Sequence, residues 1–131
     1  MRKFKTNIRY EVVKERPSPP MMVSTFIPRV KRNEDLFRYL FPTGGVVSNL
    51  TIFAVMKSGL EFFTINAYLY SKEGCSQTSF DIKPGVNLID DIEVEVDRGD
   101  RLRLDIEGID EVYKEISEIE IAFTVSPKGR V

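Results

Sequence analysis

The C-terminal part of the chain alternates between large apolar residues and small or polar residues, and this period of two constrains the fold more than any other feature. Every second residue of 119–125 is Ile, Phe or Val, and the residues between them are Glu, Ala or Thr. Residues 92–96 and 101–106 follow the same pattern. Because successive side chains of a strand point to opposite faces, the pattern predicts three strands, each with one buried face.

Two longer segments, 46–57 and 62–70, carry apolar residues in both phases. This is typical of a central strand covered on both sides, or of a strand whose outer face meets a partner. Ser58-Gly59, between the two segments, predicts a tight hairpin.

Shorter strands are predicted at 21–27 and at 78–82, the latter ending at a Pro84-Gly85 turn. Residues 33–41 fit either a short helix capped by Asn33 or another strand. Ile109, Val112, Tyr113 and Ile116 have helical spacing and predict one or two helical turns before the last strand. About eight strands at roughly ten-residue spacing indicate an all-β domain, an antiparallel sandwich or a barrel.

The first 20 residues differ from the rest. Residues 4–13 alternate but are heavily charged, and Arg16-Pro17-Ser18-Pro19-Pro20 follows them with a bias towards extended backbone. We therefore divide the chain into an N-terminal arm with a Pro-rich spacer, 1–20, and a β-sandwich domain, 21–131. The arm either reaches a neighbouring subunit, where an extended segment can add to a sheet edge, or forms the first strand of its own sandwich.

The residue types required by most catalytic and metal sites are missing. The chain has no histidine and one cysteine, so Ser-His and Cys-His pairs, structural zinc sites and an internal disulfide are ruled out. We interpret Cys75 as a half-buried loop residue. The pairs Glu93/Glu95 and Glu118/Glu120 are the residue types that a two-carboxylate glycosidase needs, but the solvated polar face of a strand explains them without further assumption and is favoured. Asp97-Arg98-Gly99-Asp100 predicts a turn, and we expect no catalytic residue, no metal and no cofactor.

The net charge of −1 argues against nucleic acid as the main partner. No apolar stretch approaches the roughly 20 residues of a membrane span, and the charged N-terminus lacks a signal-peptide core. These features predict a chain that is made and folded in a host cytoplasm and has no membrane partner.

Aromatic residues are the remaining candidates for a binding function. Tyr68 and Tyr70 share one face of a predicted strand with Phe62. Neighbouring rings can form a platform for sugars, but packing in a core or an interface is favoured because such rings bury a large area and the chain has no tryptophan.

The order of turns and strands resembles a known class of proteins. Four segments carry the resemblance: Phe41-Pro42-Thr43-Gly44-Gly45-Val46-Val47, Ser79-Phe80-Asp81-Ile82-Lys83-Pro84-Gly85-Val86-Asn87, Val96-Asp97-Arg98-Gly99-Asp100-Arg101-Leu102 and Ile119-Glu120-Ile121-Ala122-Phe123-Thr124-Val125. Over residues 36–127 they are similar to the jelly-roll-type β-sandwich of small phage virion proteins, which serve as capsid decoration, head-fibre bases and tail accessory parts. The resemblance implies a jelly-roll-like sandwich of about eight strands, a homo-oligomer and structural assembly, and it brings no catalytic residue.

The sequence therefore predicts a non-enzymatic virion structural protein, first of all a capsid decoration protein that binds the major capsid protein. The first alternative is a carbohydrate-binding module or adhesin domain. The second is a tail accessory protein, whose partner would be a tail component. A small glycan-processing enzyme is a further alternative. The residues predicted at protein interfaces are Phe4, Ile8, Tyr10 and Val12 of the arm, together with Tyr68 and Tyr70.

Overall fold

A computed structural model describes residues 19–32, 35–57 and 59–127. The arm residues Phe4, Ile8, Tyr10 and Val12 lie outside the described residues.

Eight β-strands make up most of the described part of the chain. They are β1 (Met21–Ile27), β2 (Phe37–Leu40), β3 (Gly45–Met56), β4 (Phe63–Ser71), β5 (Gly74–Ile82), β6 (Gly85–Val96), β7 (Arg101–Ile106) and β8 (Ile116–Ser126). A short helix α1 (Ile109–Val112) and a 3-10 turn (Tyr113–Glu115) join β7 to β8. Residues 37–40 are thus a strand rather than a helix, and the helical turns predicted before the last strand are present.

The strands form two four-stranded sheets. The first sheet has the order β1-β8-β3-β6 and the second has the order β2-β7-β4-β5. All neighbouring strands pair antiparallel. Most connections pass from one sheet to the other, with β4 and β5 as the consecutive strands that pair. This order is that of a double-sheet jelly roll, so the predicted antiparallel sandwich of about eight strands is confirmed.

The core lies between the two sheets and is built from the inward phase of each alternating strand. In β8, Ile119, Ile121, Phe123 and Val125 are all buried, as the period of two predicts. Phe37, Tyr39 and Phe41 come from β2 and the residue after it, and the rings of Tyr39 and Phe41 lie 5.7 and 6.2 Å from that of Phe123. These aromatic rings join the two sheets at one end of the sandwich.

The predicted Ser58-Gly59 hairpin is wrong. β3 belongs to the first sheet, where it pairs with β6 and β8, whereas β4 belongs to the second sheet. The chain therefore crosses between the sheets at this point. Turn residues mark where a strand ends, but strand pairing depends on contacts that are distant in sequence.

The predicted turn between β6 and β7 is present and also crosses between the sheets. The backbone N–H of Asp100 donates to the carbonyl of Asp97 (3.0 Å), and the backbone N–H of Asp97 donates to Oδ2 of Asp100 (2.9 Å). Gly99 has φ of 92°, a conformation that favours glycine. Asp100 is buried, and its hydrogen bond satisfies the carboxylate while it closes the turn.

Candidate functional site

The outer faces of the two sheets carry the side chains that remain free for contact. On the first sheet we define an acidic–apolar face from outward residues of all four strands: Met22, Phe26, Phe53, Val86, Leu88, Glu93, Glu95, Glu118 and Glu120. On the second sheet we define a tyrosine–arginine face: Arg38, Leu40, Tyr68, Tyr70, Arg101 and Arg103.

The tyrosine–arginine face contains the predicted residues Tyr68 and Tyr70. Their rings are stacked, with centroids 6.5 Å apart and planes 20° from parallel. The Arg103 guanidinium carbon lies 4.4 Å from the centroid of the Tyr68 ring, and that of Arg101 lies 5.7 Å from the Tyr70 ring. Phe62, predicted on the same face, is an exposed residue that precedes β4. The tyrosines therefore support two arginines by cation–π contacts.

A pair of carboxyl groups lies beside this face. Asp105 pairs with Arg103 at 3.2 Å, and Asp35 contacts Arg38. Burial, followed by the hydrogen bond with Asp35, raises the pKa of Asp105 above its ordinary value of 3.8. Burial alone would also raise the pKa of Asp35, but hydrogen bonds from Arg38 and Asp105 outweigh it and lower that pKa. Of the two, Asp105 therefore keeps its proton to higher pH.

We expect Asp105→Asn and Asp35→Asn to change the pH dependence of stability in opposite directions. Because folding raises the pKa of Asp105, the protonated carboxyl group stabilises the folded state below pH 3.8. This stabilisation is lost as pH rises through the folded-state pKa. Asp105→Asn keeps the neutral form at every pH, so its stability relative to wild type should rise from about pH 3 to about pH 7. Chemical unfolding followed by circular dichroism at several pH values measures this difference.

Asp35→Asn is the matched variant. A lowered pKa contributes stability above pH 3.8 that is lost as pH falls through the folded-state pKa, so this variant should be destabilised at neutral pH and should approach wild type in acid. If both variants follow the same trend with pH, the pKa values of the two carboxyl groups are not shifted in opposite directions.

The acidic–apolar face has charge of one sign only. The strands of the first sheet contain no lysine or arginine, and their carboxylate residues are Asp90, Asp91, Glu93, Glu95, Glu118 and Glu120. Within the described residues, the four glutamates have no ion-pair partner. These are the predicted carboxylate pairs. Glu93 and Glu95 of β6 lie beside Ser48 and Val46 of β3, whereas Glu118 and Glu120 of β8 lie beside Val55 and Phe53, so the two pairs lie towards opposite ends of the face.

Exposed apolar side chains cross the same face in register. Phe26 and Phe53 both pair with Glu120 of β8, one from each side, and Phe53 pairs with Val86 of β6 on its other side. Phe26 is 51% exposed and Val86 is 71% exposed. In the next row Leu88, 59% exposed, aligns with Thr51. Such a patch is an ordinary mark of an interaction surface.

A groove runs over β8 within this face. Phe26 and Phe53 form its sides near Glu120, and Ala122 is the small residue between Ser24 and Thr51 in the next row. The groove has a volume of about 270 Å³. It is large enough for an aromatic or branched aliphatic side chain.

A second, apolar cavity lies inside the sandwich. It has a volume of about 300 Å³ and is lined by core residues of both sheets, including Phe41, Leu50 and Leu104. Exposed Ser76 and Thr78 of β5 line its outer end. No charged residue lines this cavity, and its walls are mainly apolar.

Cys75 corrects a prediction made from the sequence. It is an exposed residue of strand β5, not a half-buried loop residue. The pattern of β5 misled the interpretation because nearly all of its residues are polar or exposed, so the strand has no alternation to reveal it.

The sequence interpretation missed Phe26, Val86 and Leu88 as surface residues. Val86 and Leu88 follow the Pro84-Gly85 turn, and they were assigned to no strand. The signal that points to them is the absence of lysine and arginine from β1, β3, β6 and β8. Solvated strand faces ordinarily mix both signs of charge, so this absence separates a contact face from a solvated one.

Among the described residues, no group of three metal-ligating side chains lies close enough to hold an ion. No helix in this part of the chain is long and apolar enough to cross a membrane. Comparison with protein-family models, curated protein sequences and solved structures gave no match.

Proposed function

We propose that this chain is a non-enzymatic structural protein of a virion, and that it coats a phage head as a homo-oligomeric capsid decoration protein. The jelly-roll strand order supports this proposal, because viral capsid domains are among the proteins built on it. Lectin domains and cupins share the architecture, so the choice between functions depends on the surface.

The acidic–apolar face is the observation that carries the proposal. Phe26, Val86 and Leu88 are exposed, so a partner that covers them lowers the free energy by removing apolar surface from water. The glutamates around them restrict the partner to a surface with complementary charge. A broad sheet face of this kind suits contact with another protein better than it suits a small substrate.

The alternative of a carbohydrate-binding module rests on Tyr68 and Tyr70. The Arg103 guanidinium lies over the Tyr68 ring and occupies one ring face that a sugar would need. The tyrosine–arginine face therefore favours a protein or an anionic group over a neutral sugar.

Particles purified from the organism that carries this gene test the proposal. We expect peptides of this chain to sediment with intact particles on a density gradient, in many copies per particle. After heads and tails are separated, the chain should remain with the heads, and antibody labelling should decorate the shell. A chain found only in the soluble fraction contradicts the virion role, and a chain found with tails supports the tail accessory alternative.

A further inference from the structure

We propose that the acidic–apolar face is the docking surface for the N-terminal arm, residues 1–20, of a second copy of this chain. The inference deepens the assembly role proposed above by naming the contact between copies. It begins from the charges of the two segments.

The arm and the face have opposite charge. Residues 1–18 contain six lysines and arginines and two glutamates, a net charge of +4, whereas residues 19–131 carry −5, which together give the −1 of the whole chain. The first sheet concentrates that negative charge, because its strands hold six carboxylate residues and no cation. The described glutamates of the face have no ion-pair partner among the described residues, so a basic segment supplies what they lack.

The apolar patterns of the two segments also match. Phe4, Ile8, Tyr10 and Val12 occupy even-numbered positions in the arm, and Lys5, Arg9 and Glu11 lie at odd-numbered positions between them. An extended segment presents such residues on one side. The groove between Phe26 and Phe53 accepts a side chain of this size, and Glu120 at its rim meets the neighbouring cations.

The attachment point of the arm favours a second copy over the same chain. The arm joins the sandwich at Met21, the first residue of edge strand β1, whereas Phe26 lies near the far end of that strand. To cover its own sheet, the arm would have to reverse direction within Pro17-Ser18-Pro19-Pro20. Proline fixes φ and biases the residue before it to extended backbone, so this sequence favours an arm that leads away from its own sheet.

The solution mass of the full-length chain, measured by light scattering over a range of concentrations, is the primary test. Wild type should be an oligomer that weakens as salt is raised, because screening acts on the exposed charges. Phe26→Asp should weaken self-association at least about tenfold, because it places a carboxylate in the apolar row. Phe62→Asp is the matched control, since Phe62 is 49% exposed, precedes β4 outside both faces, and should leave the mass unchanged.

A block exchange of charge identifies the arm as the occupant. The arm variant reverses Lys3, Lys5 and Arg9 to Glu, and the face variant reverses Glu118 and Glu120 to Lys. Each variant alone should lose self-association, and the chain that carries both should regain it. Circular dichroism of every variant checks that the sandwich is folded.

Each outcome decides the proposal. A monomeric wild type overturns it, including the case in which proteolysis shows the arm protected on its own sheet. An oligomer that tolerates the arm reversal but dissociates when Arg101 and Arg103 become Glu also overturns it, because the interface between copies then lies on the second sheet. The presence of the chain in particles is measured separately, so a failed contact between copies and a failed virion role are distinguished.

Discussion

Phe123→Ala is expected to lower the free energy of unfolding by about 3–5 kcal/mol, the cost of removing a buried aromatic ring from a packed core. Phe123 is 1% exposed. Its ring lies 6.3 Å from Phe37 of the opposite sheet and 5.7 Å from Tyr39, both at edge-to-face angles. Its removal therefore leaves a cavity at the aromatic junction between the sheets.

A domain of this size is stable by roughly 5–15 kcal/mol, so the loss is a large part of the total. The melting temperature should fall by roughly 10–25 °C. Chemical unfolding followed by circular dichroism measures the change. Phe62→Ala is the control, because Phe62 is 49% exposed and its truncation should cost less than about 1 kcal/mol. Equal losses in the two variants would place Phe123 outside the core.

The strand positions were largely predictable because they depend on local alternation. β7 and β8 each have one dry and one polar face, and the period of two reports this directly. The strand order was not predictable from the residues alone. β1 pairs with β8, which is about 100 residues away, and no local sequence feature of either strand identifies the strand with which it pairs. The jelly-roll order was implied by the resemblance instead.

Asn87 illustrates why the packing of a connection between sheets cannot be predicted from local sequence. Its Oδ1 atom accepts from the backbone N–H of Lys83, and its Nδ2 group donates to the carbonyls of Ile52, Lys83 and Gly85. The side chain thus fastens the β5–β6 connection to β3. In sequence, Pro84-Gly85 and Asn87 indicate only a turn, because the bond to Ile52 joins residues that are distant along the chain.

The candidate site was partly visible in sequence. Apolar residues in both phases of β3 suggested that its outer face meets a partner, and Phe53 lies in the middle of the acidic–apolar face. The row that Phe53 forms with Phe26 and Val86 depends on the register of three strands. Register is a property of the folded sheet, so the surface became recognisable only with the structure.

Gly45→Ala is expected to destabilise the chain by about 1–3 kcal/mol, the usual cost of forcing an extra methyl group into a packed site. A Cβ atom at Gly45 would lie 2.5 Å from the carbonyl oxygen of Ser126 and 2.9 Å from Cγ1 of Val125. The first contact is with backbone, so β3 and β8 must move apart where they pair. The damage should therefore extend to the strand pairing at the centre of the first sheet.

Gly44→Ala is the matched control for Gly45→Ala. Neither glycine has a left-handed φ, so alanine is compatible with the backbone at both positions. A Cβ atom at Gly44 would lie 3.1 Å from the carbonyl oxygen of Val96, a tight contact that a small shift relieves. Alanine also restricts the unfolded chain, which offsets part of that cost, so this variant should stay within about 1 kcal/mol of wild type. Chemical unfolding of both variants, with amide hydrogen exchange along β8, measures the difference. If Gly45→Ala is no less stable than Gly44→Ala, the close approach of β3 to β8 at Gly45 does not constrain the residue there.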